Sequence, residues 1–292
     1  MKVELPLVVG VDGSEPSLRA VDWAADEAAL RGLPLRLVYA SLWERYEGSV
    51  LAEDADQASE RARAEDIVET AARRAHRRQS DLKVATEVLA EEPEYALIRE
   101  ARLAAALVVG SRGRSAIAEL LLGSVSLTVA ARADCPVIVL RGSHDNQARC
   151  GMRGRIVVGV GDRPADSAAV RFAAEEARQR RVPLEAVRAW RCPAHERNDH
   201  ILLAGEPARL HEKQAAVALD AALWDVPSDV DLHRRTAEGP ARRVLLDASY
   251  DADLLVLGAW RHPGHFGLQL GRVAHTVLHH SGCPVAVVPR RA

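Results

Sequence analysis

Residues 110–124 read Gly110-Ser111-Arg112-Gly113-Arg114-Ser115-Ala116-Ile117-Ala118-Glu119-Leu120-Leu121-Leu122-Gly123-Ser124, between an apolar strand-like run and an apolar helix-like run. The spacing reads as a phosphate cradle. Gly110, Gly113 and Gly123 stand where a backbone would approach an anion closely, and Ser124 opens a helix whose first N–H groups favour negative charge. The second half of the chain repeats this context and alters its key positions. Leu-Val-Val-Gly ending at Gly110 returns as Leu-Val-Leu-Gly ending at Gly258, while Gly113 becomes Arg261 and Ser124 becomes Arg272. One intact site and one degenerate copy are expected.

Working outward, short apolar runs alternate with helical spacing. Leu5 to Val11, Leu35 to Ala40, Val84 to Val88, Ala106 to Gly110 and Pro136 to Leu140 are strand candidates; helices are expected over 16–31, 53–79, 93–104 and 124–133. Gly32 and Pro34 stop the first helix. The second half follows at an offset of 148 to 149 residues, with strands at Ile156 to Val160, Leu184 to Ala189, Val230 to Thr236, Leu254 to Gly258 and Pro284 to Val288. Such alternation implies an α/β fold of two tandem doubly wound domains, each a parallel sheet with helices on both faces. The expected domains are 1–141 and 155–292, joined by a polar, glycine-containing linker at 142–154.

Composition narrows the function. At 292 residues each half is large enough to bury a core. The net charge of -2 and pI near 6.6 supply no field that would draw the protein to nucleic acid or an anionic membrane. No stretch approaches a membrane span and the N-terminus carries no leader pattern, so the expected location is the cytoplasm. Three lysines against thirty-six arginines reflect coding bias and carry no mechanistic weight. Cys135 and Cys283 occupy equivalent Cys-Pro-Val positions before the last strand of each half, and are read as small buried residues.

The chain resembles the universal stress protein family in its tandem form. The likeness rests on Val-Val-Gly-Val-Asp-Gly-Ser at 8–14, Ala-Val-Asp-Trp-Ala-Ala at 20–25, the Gly-x2-Gly-x9-Gly-Ser spacing from Gly110 to Ser124, and Cys-Pro-Val in both halves. It implies a five-stranded sheet of order 3-2-1-4-5 and binding of ATP with magnesium or manganese. In that order strands 1 and 4 are neighbours where the winding reverses, and ligands bind outside the strand ends there. The resemblance implies a nucleotide-binding set of Val11, Asp12, Ala40, Val109, Gly110, Arg112, Gly113, Gly123, Ser124, Val125 and Ser126. It also implies pairing of the two final strands in an intrachain pseudo-dimer, with a further homodimer and an unidentified protein partner.

Within that set, Asp12 would lie near ribose and adenine, and Ala40 would meet adenine through its backbone. Asp12 equally suits a turn or helix cap. Gly110 and Gly113 would form the loop over the phosphates, with Arg112 and Arg114 either supplying charge or decorating the surface. Ser124 and Ser126 would offer hydroxyls to phosphate oxygens, and Ser124 also suits a plain N-cap. In the second half Gly161 replaces Asp12, Arg261 would sterically close the loop, and Arg272 removes a hydroxyl and introduces a cation, so ATP is not expected there in the same way; the alternative is that Arg272 captures a phosphate or another anion.

No Gly-Lys-Ser or Gly-Lys-Thr occurs, so no lysine is placed to neutralise β and γ phosphates. The leading expectation is therefore a regulatory, stress-response ATP-binding module without catalytic residues or protein metal ligands. The alternatives are a slow ATPase, an enzyme autophosphorylating at Ser124 or Ser126 or transferring adenylyl groups, and an interaction protein independent of nucleotide. His275 and His279 lie four apart in a cluster with His262, His265 and His280, without a His-Glu-x-x-His pattern. Arg73-Arg74, Arg77-Arg78 and Arg242-Arg243 read as exposed helix decoration.

Overall fold

The structure, a computed structural model, describes residues 4–42, 54–111, 122–141, 154–161, 167–193, 206–259 and 270–289, and they fall into two compact units, one per half. In the first, β1 (Leu7–Gly10), α1 (Glu15–Arg31), β2 (Leu35–Ala40), α2 (Asp54–Arg78), β3 (Val84–Leu89), α3 (Pro93–Glu100), β4 (Ala106–Gly110), α4 (Ser124–Arg132) and β5 (Val137–Leu140) follow in order. The strands are parallel in the order β3-β2-β1-β4-β5. Leu7 stands beside Leu35 on one side and Ala106 on the other. The second unit comprises β6 (Ile156–Gly159), α5 (Ser167–Arg180), β7 (Leu184–Trp190), α6 (Glu206–Ala222), β8 (Leu232–Glu238), α7 (Ala241–Ser249), β9 (Leu254–Ala259), α8 (Arg272–His280) and β10 (Val285–Pro289). Its order, β8-β7-β6-β9-β10, is the same 3-2-1-4-5 pattern.

Local chemistry explains these elements. All five residues of β4 are buried, as a central parallel strand covered by helices on both faces requires. Ser14 caps α1 with its hydroxyl accepting from the Ser17 N–H, Pro16 sits in the first turn, and Gly32 closes the helix in the left-handed region. Ala20, Ala24 and Ala28 recur one turn apart and are fully buried, so α1 approaches the sheet closely. Right-handed crossovers put α1 and α2 on one face and α3 and α4 on the other; α1 packs on α2, and α3 on α4.

Three features depart from the sequence reading. The third strand of the second unit begins two residues later than expected, because the Val230 N–H closes a turn onto Pro227 O and pairing with β7 starts at Leu232. Arg74 and Arg78 do not decorate an exposed face. Arg74 donates from Nε and Nη2 to the two carboxylate oxygens of Asp22 at 2.8 and 2.6 Å, and Arg78 Nη2 reaches Asp26 Oδ2 at 2.6 Å. Arginines one turn apart on α2 thus meet aspartates one turn apart on α1, and hydrogen bonding to Asp22 raises the Arg74 pKa above its ordinary value. Arg242 and Arg243 are exposed.

The third departure is a pair of buried carboxylates that residue spacing does not single out. Glu27 on α1 forms an ion pair with Arg31, and at the equivalent place on α5 Glu176 pairs with Arg180 at 3.1 Å; both glutamates are almost wholly buried. Cys135 and Cys283 are buried as expected, each thiol donating to the carbonyl of the proline that follows it. Among the described residues no helix is long and apolar enough to cross a membrane.

Candidate functional site

The reversal of strand order places the C-terminal ends of β1 and β4 side by side. Beyond β1, the buried Val11 donates its N–H to Val38 O at 2.9 Å, the last bond of the β1–β2 ladder. The chain then turns through Asp12, Gly13 and Ser14. Asp12 Oδ1 accepts from the Ser14 N–H at 2.9 Å and from Ser14 Oγ at 2.5 Å, while Gly13 adopts a φ of 78° that only glycine takes without strain. Asp12 therefore serves as a turn residue supporting the α1 cap. Its second oxygen, Oδ2, receives no hydrogen bond among the described residues. Ser17 is buried beneath the turn, accepting from the Asp12 N–H at 3.3 Å and donating to Ser14 O at 2.9 Å.

Ala40 ends β2 two residues past the point where β1 stops pairing. Leu35 and Ser41 direct their N–H groups toward β3, so by alternation the N–H and C=O of Ala40 face the β1 side. The β1–β2 register ends at Gly10 and Val38, two residues short of them.

At the other wall, Val109 is buried inside β4 and Gly110 closes the strand. A Cβ on Gly110 would lie 2.8 Å from the backbone carbon and oxygen of Pro16. The close approach that this glycine permits is thus to the first turn of α1, where the sequence reading anticipated an anion. Across the loop, the Gly123 N–H donates to Ser111 O at 2.9 Å, pinning the two ends of the glycine segment together. Arg112, Gly113 and Arg114 lie outside the described residues.

Gly123, and not Ser124, occupies the N-cap of α4, with φ -66° and ψ 151°. It offers no side-chain acceptor, and the first turn contains no acidic residue. The first helical bond runs from the Leu127 N–H to Gly123 O, so among the described residues the N–H groups of Ser124, Val125 and Ser126 have no acceptor. Their partial positive charge is presented at the strand ends. The hydroxyl of Ser126 does not join them. It is buried and donates to Gly110 O at 2.7 Å, so its one proton is committed to the protein. Ser124 is exposed, and its hydroxyl donates to Glu94 Oε1 at 3.3 Å. Glu94 escaped the sequence reading. The signal for it was Pro93-Glu94 opening a helix directly after β3, at the same edge of the sheet.

The second unit keeps the frame and changes the contents. Val160 donates to Val187 O at 2.9 Å, as Val11 does to Val38. Gly161 replaces Asp12, and its carbonyl accepts from Nη1 of Arg188, a buried cation on β7. Ala274 stands where Ser126 stands in the first unit, so the hydroxyl tether to the strand end is missing. Gly258 has ordinary room, since a methyl group added there would lie 3.7 Å from Ala169 Cβ. Arg272 is the exposed first residue of α8; Arg261, His262 and His265 lie outside the described residues. The rings of His275 and His279 lie 4.5 Å apart on α8.

Comparison with known proteins agrees with this architecture. The profile described as the Universal stress protein family matches residues 6–141 and again 152–289. A universal stress protein of Mycobacterium tuberculosis is 30% identical over 302 residues, covering 96% of each chain. One from Mycolicibacterium smegmatis is 31% identical over 309 residues, covering 99% of this chain and 98% of its own. The crystal structure of a universal stress protein from Archaeoglobus fulgidus has the same fold, with a TM-score of 0.70 at 17% identity over 98% of both chains.

Proposed function

The chain belongs to the universal stress protein family, with one such domain in each half, and from that premise we propose that its first domain binds ATP as a regulatory ligand. The observation that carries the reading is the N-terminus of α4: three consecutive N–H groups without acceptors among the described residues, behind a cap residue that has no side chain, at the reversal of strand order. Phosphate oxygens are the acceptors that such a turn suits. In this reading Gly110, Arg112 and Gly113 supply the loop over the phosphates, and Gly123, Ser124 and Val125 supply the helix end. Ser126 holds the loop closed from below. Val11 and Val109 form the apolar wall, Asp12 Oδ2 takes a ribose hydroxyl, and the open N–H and C=O of Ala40 meet the adenine edge.

A magnesium or manganese ion would accompany the phosphates. Among the described residues no three acidic, histidine or cysteine side chains converge to hold one, so the nucleotide would supply most of its ligands, with Ser124 and Glu94 beside it. The second domain has Gly161 in place of Asp12 and Ala274 in place of Ser126, which supports a single nucleotide per chain.

The test is to denature freshly purified protein, identify the released nucleotide by chromatography and count it per chain, with Gly123→Asp as control. About one ATP per chain, absent from the control, is expected. No released nucleotide, together with no binding when ATP and magnesium are restored, overturns the proposal.

A further inference from the structure

The two halves differ on one outer surface in a way that the fold does not require. On α2 of the first unit the solvent face is charged: Arg61 pairs with Glu65, and Arg73 with Glu69 and Asp66. On α6, its counterpart in the second unit, the solvent face carries Leu210 and Val217, and Trp224 follows in the turn just past the helix end; the three are 55%, 62% and 87% exposed. Gln214 and Ala221 lie between them and are also exposed. The steps of four and three residues place Leu210, Gln214, Val217 and Ala221 on one stripe, opposite the buried Ala215 and Leu219 that face the unit's own sheet. This is the two-in-seven seam of a helix that packs against another helix.

The charges beside the seam specify the partner and its direction. Lys213 and Asp220 occupy one flank; His211 lies on the other, and Asp225 follows in the turn past the helix end. Lys213 and Asp225 have no ion-pair partner among the described residues, and Asp220 Oδ1 accepts from Arg234 Nε at 2.9 Å while remaining largely exposed. When the seam is laid antiparallel on a copy of itself about Val217, Leu210 faces Trp224. Lys213 then faces Asp220, each contact occurring twice by symmetry. In a parallel arrangement Lys213 would meet Ala218 and gain no charge partner. The stripe is therefore self-complementary in one direction only.

We propose that the exposed face of α6 is a self-association surface that pairs antiparallel with α6 of a second copy of this chain. Past the helix end a cleft of about 460 Å³ is lined by Trp224, Val226, Pro227 and Val230 together with the polar Asp220, Ser228 and Arg234. A 17-residue helix offers a seam of about 25 Å. That length belongs to the small class of interface, so association depends on concentration.

Sedimentation velocity of the full chain over a concentration series, beside Val217→Glu and Lys213→Glu, gives the first test. Val217→Glu weakens association at least about tenfold, and Lys213→Glu weakens it in a salt-dependent manner. In a Cys150→Ser background, Val217→Cys forms a cross-linked dimer under mild oxidation, since the position faces itself at the dyad; Leu210→Cys does not. A chain that stays monomeric throughout, or an oligomer indifferent to Val217→Glu, overturns the proposal. Efficient cross-linking through Leu210→Cys overturns the antiparallel arrangement.

Discussion

The hydroxyl of Ser126 donates to the carbonyl of Gly110 across 2.7 Å, both groups lying out of contact with water. The bond joins the first turn of α4 to the end of β4, and the Gly123 N–H to Ser111 O bond joins the same two segments one step further out. Both ends of the glycine segment are thus fixed by the protein itself. A helix terminus held in this way loses little freedom when an anion arrives. Replacing Ser126 by Ala removes the tether and leaves a buried acceptor unsatisfied, a loss of about 1–3 kcal/mol. Urea unfolding of the variant measures it, and ATP affinity falls with the tether while Ser124→Ala leaves stability unchanged.

Gly110→Ala and Gly258→Ala occupy equivalent positions and have different outcomes. At Gly110 the new methyl would stand 2.8 Å from the Pro16 backbone, which has no side-chain freedom to yield; at Gly258 the nearest atom is 3.7 Å away. Overpacking of this kind costs about 1–3 kcal/mol. The first variant melts at a lower temperature than the parent, and the second melts with it.

Gly123→Asp separates stability from binding. The backbone at Gly123 is extended and suits any residue, and a carboxylate at this N-cap would accept from the uncapped N–H groups of α4. The helix gains only about a few tenths of a kcal/mol, since glycine is itself a tolerated cap, while the same N–H groups become unavailable and a negative charge occupies the phosphate position. Thermal unfolding rises and nucleotide titration shows no binding; a stable variant that still binds ATP would place the phosphates elsewhere.

Glu176→Gln removes a carboxylate from beside a guanidinium whose side chain is 3% exposed. Deleting one member of a buried ion pair costs about 3–5 kcal/mol. Chemical denaturation shows the loss in the second unit's transition, and Glu27→Gln produces the matching loss in the first.

Much of the fold was legible because parallel strands buried on both faces must be continuous apolar runs. Ala106–Gly110 and Leu35–Ala40 were read to the residue for that reason. The buried ion pairs were not legible. Glu27 and Arg31 are four apart on a helix, the spacing of an ordinary surface pair, and only the rotation of α1 against the sheet buries them. Arg74 was misread for the same reason, since its partner Asp22 lies on another helix. Ser126 was identified as a site residue, yet the direction of its proton depends on where Gly110 O lies.

The sequence by itself determined the family, the repeat, the strand–loop–helix order and the inequality of the two glycine segments, because these depend on residue type and spacing along one chain. Only the tertiary structure decided which groups are spent within the protein and which remain open. It committed Asp12 Oδ1 to Ser14 and the Ser126 hydroxyl to Gly110, and among the described residues it left the first three α4 N–H groups without acceptors. A hydrogen bond needs a distance and a direction as well as a donor and an acceptor, and those are set when separate segments are brought together by packing.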